Sequence, residues 1–294
     1  MRPNKLIQFY LTNVCNSHCK TCGIWRDNSN NIELPLQNVL DVIKEFPEAD
    51  YVFGGGEAIL YSKIGELLSY CNEHNISYTL LSNAVDVEAL DRVIELYNVK
   101  NLTMSCDGVN HDWIRGSKGN LGNIARIVFK YKNKKYGSMN IKLSYTLSTY
   151  NEDTINMDME MIKNVLGFDK VYFCLAQDMD LLLVNKQKQI KPTKYAIDHL
   201  ITKYGHMLYD KDYNFLKHAI ILGDRKHCDS TSSVFTIYTN GDIVRCQSIM
   251  SKDVLGNIVN GDDFKDVVSK IESTWTYVCP YDDMCNLVCQ RRYD

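Results

Sequence analysis

The sequence predicts an α/β chain: a partial (β/α)6 TIM-like barrel followed by a small cysteine-rich C-terminal domain. Three observations carry this. From Leu6 onward, short β-prone apolar runs alternate with longer amphipathic ones, at the spacing of βαβ units with parallel strands and right-handed crossovers. The unusual polar clusters fall just after those runs, at the strand ends where such barrels carry their sites. Near Asp178 the alternation stops, and from Cys228 the texture turns to short elements rich in cysteine.

Taken in order, the first strand (7–12) runs into the polar cluster 12–22 and a helix over 36–46. The second (51–54) ends on Gly54-Gly55-Gly56-Glu57 and leads to a helix over 62–74. The third (78–82) ends on Ser82-Asn83 before a helix over 87–97, and the fourth (101–105) ends on Ser105 to Gly108 before a helix over 121–135. The fifth strand (141–147) is followed by a helix over 151–166, and the sixth (171–176) ends at Gln177. Residues 178–191 read as a polar loop and 193–209 as another helix. Then 235–238, Asn240-Gly241 and 242–246 form a β-hairpin with its turn dipeptide. A boundary within 205–227 gives a barrel over 1–210 and a second domain over 211–294.

A chain of 294 residues can bury one large core, or one core and a small appendage. Its 45% hydrophobic and 23% charged residues are those of a globular protein. A net charge of −3 provides no global field for nucleic acid or an anionic membrane, so neither is an expected partner. One stretch departs from this: Lys118, Arg126, Lys130, Lys132, Lys134, Lys135 and Lys142 follow one another with no acid among them. It reads as the solvated face of an outer helix or, alternatively, as a docking face for an acidic partner. No apolar run approaches the ~20 residues that span a bilayer. Residues 1–11 are too short for a signal peptide, so a cytoplasmic protein is expected. Eleven cysteines in a reducing compartment point to metal ligation or catalysis and not to disulfides.

Cys15, Cys19 and Cys22 stand at C-x3-C-x2-C spacing on the loop after the first strand. Thiolates this close can wrap one small iron–sulfur cluster. Four would close a cubane, whereas three leave one iron open to another ligand. Zinc is the competing reading, but structural zinc takes four protein ligands.

This loop resembles that of the radical SAM (S-adenosylmethionine) superfamily, and further motifs agree with it in order from Leu6 to Gln177. Gly55-Gly56-Glu57 looks like the family's GGE motif, where glycines admit close backbone and the carboxylate suits a methionine ammonium. Ser82-Asn83 resembles the polar end of the third strand, which meets the SAM ribose or methionine. Ser105-Cys106-Asp107-Gly108, His111 and Arg115-Gly116 resemble the S-x-D-G…H…R-G signature of the SPASM and Twitch branches, and Tyr145-Thr146 to Asn151 matches their fifth strand end. Arg115 is then a partner for the SAM carboxylate, with a surface salt bridge as the alternative. Two positions differ from the pattern, Thr21 for an aromatic residue and Ala58 for a proline, and neither removes a ligand. The resemblance implies a [4Fe-4S] cluster on Cys15, Cys19 and Cys22 that chelates SAM. The cofactor-binding residues would be Gly55, Gly56, Glu57, Ser82, Asn83, Ser105, Asp107, Arg115 and Gln177.

Cys228, then Gly241-x4-Cys246, then Cys279-x5-Cys285-x3-Cys289 resemble a SPASM domain in which Thr276 replaces one cysteine. Five cysteines cannot fill two four-thiolate clusters, so a Twitch-like or shortened SPASM domain with one auxiliary [4Fe-4S] cluster is implied. Cys228 and Cys246 are its expected ligands, and which of Cys279, Cys285 and Cys289 complete the set stays open. A zinc ribbon is the alternative. Cys71, Cys106 and Cys174 read as buried small apolar residues. Gln177, Asp178, Asp180, Arg225, His227, Arg245 and Gln247 lie in segments able to reach substrate. Trp25 and Arg26 either cover the cluster or serve packing and surface charge.

The branch chiefly modifies ribosomal peptides, matures enzymes or oxidises small alcohols. The first reading is therefore hydrogen abstraction from a peptide or protein side chain, with a flavodoxin- or ferredoxin-type electron donor. With the first strand starting near Leu6 no room is expected for an N-terminal leader-binding domain. A small-molecule dehydrogenase or epimerase of the same chemistry is the second reading, and a non-catalytic zinc-binding module the third.

Overall fold

A computed structural model describes residues 5–26, 31–132, 139–176, 190–217, 221, 233–245 and 254–273. Six strands run parallel in sequence order: β1 (Leu6–Thr12), β2 (Asp50–Gly55), β3 (Tyr78–Ser82), β4 (Asn101–Ser105), β5 (Asn140–Leu147) and β6 (Tyr172–Leu175). Between them lie α1 (Leu36–Glu45), α2 (Ile64–Glu73), α3 (Val87–Tyr97), the short α4 (His111–Arg115), α5 (Asn120–Tyr131) and α6 (Ile155–Glu160). This is the α/β class and parallel sheet that the alternation predicts.

Strand alternation divides the sheet into two faces. Ile7, Phe9, Leu11, Tyr51, Phe53, Leu80, Leu102, Leu143, Tyr145 and Phe173 are buried, and they share one core with helix residues such as Val39, Leu67, Leu90 and Ile124. The alternate residues, among them Gln8, Tyr10, Thr79, Ser105, Ser144 and Thr146, are half-buried and largely polar. One face thus carries the hydrophobic packing while the other is left for chemistry at the strand ends.

The expected hairpin forms, as β7 (Val234–Ile237) and β8 (Asp242–Val244), and β9 (Val254–Asn257) adds to it antiparallel. Its first strand pairs parallel with β1, matching Ile7 to Phe235 and Phe9 to Ile237, so the hairpin extends the same sheet at the edge opposite β6. After β6 come α7 (Lys194–Tyr204) and α8 (Asp210–Phe215), and α9 (Phe264–Ser273) follows β9.

Several elements differ from expectation. The helix expected over 151–166 is a 3-10 turn, then α6, then a π-helical turn at Met161–Val165. Buried Ile155, Met159 and Ile162 keep helical spacing through all of it, so periodicity alone does not separate the pieces. The expected helix over 121–135 ends at Tyr131 in α5, and 133–135 lie outside the described residues. The basic stretch of α5 is spent on α3: Arg126 pairs with Glu88, and Lys130 with Asp91 at 2.7 Å and Glu95 at 2.8 Å. That is the solvated-face reading. No helix of the described residues is long and apolar enough to cross a membrane.

Candidate functional site

The cysteine loop is folded by its own polar residues. Thr12 Oγ1 accepts from Val14 N at 3.1 Å, and Asn13 Oδ1 accepts from Ile32 N at 2.8 Å, turning the chain out of β1. It then docks on α4: His18 N donates to Arg115 O at 3.1 Å and Lys20 N to Ile114 O at 2.8 Å. Ser17 Oγ adds a bond to Arg115 O at 3.2 Å. Gly116 sits under the loop at φ 63°, and a Cβ there would lie 2.8 Å from His18 O. Trp25 Nε1 donates to Cys19 O at 3.2 Å.

The end of β2 closes on this loop from the other side. Gly56 N donates to Thr12 O at 2.7 Å and Glu57 N to Val14 O at 2.8 Å. Only glycine fits here: a Cβ on Gly55, at φ 125°, would lie 2.5 Å from Thr12 O, and one on Gly56 2.2 Å from Val14 O. The glycines therefore bring two strand ends to backbone contact and aim Glu57 inward.

Glu57 is fully buried and ties β2 to the end of β3. Ser82 Oγ donates to its Oε1 at 2.8 Å and Asn83 N to its Oε2 at 2.7 Å. Burial pushes its carboxyl up to about 7, against the hydrogen bonds from Asn83, Ser82 and Ile59 that pull it down. The Asn83 amide reaches Asn16 Oδ1 at 2.9 Å and Cys15 Sγ at 3.7 Å, so β3 also touches the cysteine loop.

The end of β4 supplies a buried ion pair. Arg115 donates to both oxygens of Asp107, through Nε to Oδ2 and through Nη2 to Oδ1 at 3.1 Å, and Asp107 Oδ1 also accepts from Thr146 N at 3.1 Å. The remaining guanidinium nitrogen, Nη1, lies 3.9 Å from Cys19 Sγ. Burial works against the Arg115 charge, but Asp107 and Cys19 outweigh it and hold the group firmly protonated. His111 takes the Asp107 N–H on Nδ1 at 3.0 Å, and burial drops it to about 4, so it is neutral. The salt bridge read from sequence is present, but it is buried and not at the surface.

These groups open onto one cavity of about 180 Å³, lined by Cys15, Cys19 and Cys22 together with Gly55, Gly56, Glu57, Ser82, Asn83, Ser105 and Arg115. Asp107 stands behind Arg115 and is 0% exposed. Gln177, Cys228, Cys246, Cys279, Cys285 and Cys289 lie outside the described residues, as do Asp178, Asp180, Arg225, His227 and Gln247. Asn120, which donates to Asn83 O at 2.9 Å, belongs to the site's support but carries no motif that would have marked it.

The donor set fits an iron–sulfur cluster. Burial pushes the Cys15 thiol up to about 12 and Cys22 to about 11, so thiolates persist here only with a cation to hold them. Among the described residues no three His, Cys, Asp or Glu side chains converge on a single ion. Ligands that each bind a different iron of a cluster are not required to do so. Cys71 and Cys106 are buried apolar thiols as expected, whereas Cys174 departs from that reading. It is exposed, beside Ser144 Oγ at 3.8 Å, because its alternation in β6 puts it on the face away from buried Phe173 and Leu175.

A family profile described as the radical SAM superfamily matches residues 9–162. The curated radical SAM cyclopropyl synthase TigE of Paramaledivibacter caminithermalis is 24% identical across 86% of this chain and 59% of its own length. The chain thus spans about three fifths of that relative. Among solved structures, Streptococcus suis SuiB bound to precursor peptide SuiA superposes with a TM-score of 0.66 at 15% identity, covering 90% of this chain and 64% of that one. The protein anSMEcpe with bound AdoMet and Cp18Cys peptide gives 0.64 at 17% identity, covering 97% and 88%. These two likenesses show a shared fold.

Proposed function

The chain belongs to the radical SAM superfamily, and on that premise we propose that it is an enzyme that abstracts hydrogen from a peptide or protein side chain. One observation carries the reading: three cysteines, two obligatory glycines and the Glu57–Ser82–Asn83 cluster share a single cavity at the ends of parallel strands. A [4Fe-4S] cluster held there supplies one-electron cleavage of SAM to methionine and a 5′-deoxyadenosyl radical.

The rest is the work of this chain's residues. Cys15, Cys19 and Cys22 hold the cluster as thiolates. Gly55 and Gly56 let the main chain line the site, and Glu57 offers a buried carboxyl whose ionised form the methionine ammonium would favour. Asp107 fixes the Arg115 fork, whose remaining nitrogen stands at Cys19 Sγ, where a positive charge favours the reduced state of a cluster. Residues 211–294 form the auxiliary domain in this reading, with Cys228, Cys246 and members of the Cys279, Cys285 and Cys289 set around one auxiliary [4Fe-4S] cluster. Reduction comes from a flavodoxin- or ferredoxin-type carrier.

A peptide substrate is supported by the fold shared with SuiB and anSMEcpe, both seen with bound peptide. The test is anaerobic incubation of the reconstituted protein with SAM, dithionite and the short peptides encoded beside its gene, read by mass spectrometry. A SAM-dependent mass change on one peptide is the expected result. Oxidation of small alcohols with every peptide untouched would move the assignment to a small-molecule dehydrogenase.

A further inference from the structure

Asn120, at the start of α5, is 1% exposed, and among the described residues its Oδ1 accepts no hydrogen bond. A stranded acceptor destabilises the fold, and an apolar side chain at this position would avoid it. Asparagine is therefore useful here for its amide nitrogen, which donates to Asn83 O at 2.9 Å. Asn83 is where the walls of the cavity meet. Its N donates to Glu57 Oε2 at 2.7 Å and its Nδ2 to Asn16 Oδ1 at 2.9 Å, while its Oδ1 accepts from Val85 N at 2.9 Å. With the carbonyl held by Asn120, every polar group of Asn83 is engaged and the residue is fixed in place.

The same amide has a second neighbour. His111 uses its Nδ1 lone pair on Asp107 N at 3.0 Å, so its neutral ring carries the proton on Nε2, 3.0 Å from Asn120. One amide thus stands between a carbonyl that needs a donor and a ring N–H that needs an acceptor. It serves them only in turn: Nδ2 donates to Asn83 O, or the amide turns over and Oδ1 takes the His111 proton. The unpaired Oδ1 marks the first setting. His111 leads on to Asp107, Arg115 and Cys19, so the choice lies between the β3 wall and the β4 ion pair.

We propose that Asn120 is a positioning residue for SAM. With its amide nitrogen on Asn83 O it holds the Glu57–Ser82–Asn83 wall in the binding shape, and with its oxygen on His111 it lets that wall relax. This rests on the reading that the wall meets SAM.

The test uses the anaerobically reconstituted full chain. SAM binding is read by calorimetry and by the electron paramagnetic resonance signal of the reduced cluster as SAM is added. Asn120→Asp keeps the shape but, ionised, only accepts: it serves His111 and sets an oxygen against Asn83 O. Asn120→Ala serves neither neighbour. SAM affinity should fall about tenfold in each, the scale of one buried carbonyl left without its donor. KM for SAM in dithionite-driven 5′-deoxyadenosine formation should rise in step while kcat stays within about twofold, the mark of lost binding and not of lost chemistry. Iron content should match wild type. Asn123→Ala is the control, because it removes a like bond one turn along α5, Asn123 Nδ2 to Val85 O at 3.0 Å. It should bind SAM as wild type does. Wild-type SAM affinity in either Asn120 variant, loss of iron in both, or an equal loss of affinity in Asn123→Ala would make Asn120 an ordinary helix brace and overturn the proposal. A wild-type chain that neither binds nor cleaves SAM would instead sink the proposed function.

Discussion

Replacing Glu57 with alanine is expected to leave the chain loaded with iron and almost unable to cleave SAM. The carboxylate is buried and accepts from Ser82 Oγ and Asn83 N, so its loss strands two donors as well as removing the charge. Hydrogen bonds to a charged group contribute about 1.5–3 kcal/mol, and each 1.4 kcal/mol is about tenfold. 5′-Deoxyadenosine formation with dithionite should therefore fall about ten- to a hundredfold. Iron should stay, because Glu57 bonds to no cysteine sulfur. Glu57→Gln separates charge from shape: its oxygen can accept from Asn83 N while its amide donates to the Ser82 hydroxyl, keeping the geometry. It should lose most of the activity too. Wild-type cleavage in Glu57→Gln would mean that the carboxylate only braces β3.

The second large effect is expected at Gly56. A Cβ there would meet Val14 O at 2.2 Å and Val14 C at 2.7 Å, main-chain atoms that cannot turn aside. Gly56→Ala must push the cysteine loop away and break the bonds to Thr12 O and Val14 O. Iron should drop by about four per chain, one cubane's worth, with far-UV circular dichroism unchanged. Gly54→Ala is the control: its Cβ would meet only side chains, Leu81 at 3.2 Å and Gln8 Nε2 at 3.7 Å, which can shift. It should keep its iron. Full iron in Gly56→Ala would show that the two strand ends need not touch.

Much of this was legible in the sequence, for physical reasons. The strands announce themselves because one face packs on helices and the other faces the site, so Ile7, Phe9 and Leu11 alternate with Gln8 and Tyr10. The cysteines and glycines announce themselves because few residue types can ligate iron or pass under a carbonyl. What stayed hidden is of two kinds. Short elements such as α4 complete barely one helical turn and show no period. By contrast, α9 carried a readable signal, Phe264, Val267, Val268 and Ile271 at helical spacing, masked by the cysteines around it. Partnerships also stayed hidden. Nothing in a linear sequence says that Asp107 takes both arms of Arg115, that Asp158 accepts from Tyr145 at 2.8 Å, or that Lys20 rests on Trp113. Such pairs join residues whose meeting is set by the sheet and not by spacing.

The most direct measurement is iron, sulfide and 5′-deoxyadenosine on the anaerobically reconstituted chain and on its Cys15→Ala/Cys19→Ala/Cys22→Ala variant. Wild type is expected to hold about eight iron and eight sulfide, two cubanes on thiolates, and to cleave SAM slowly with dithionite. The variant is expected to keep about four of each, on the C-terminal cysteines, and to form no 5′-deoxyadenosine. A variant that retains all its iron and still cleaves SAM, or a wild type that binds zinc in place of iron, would contradict the assignment of this cavity.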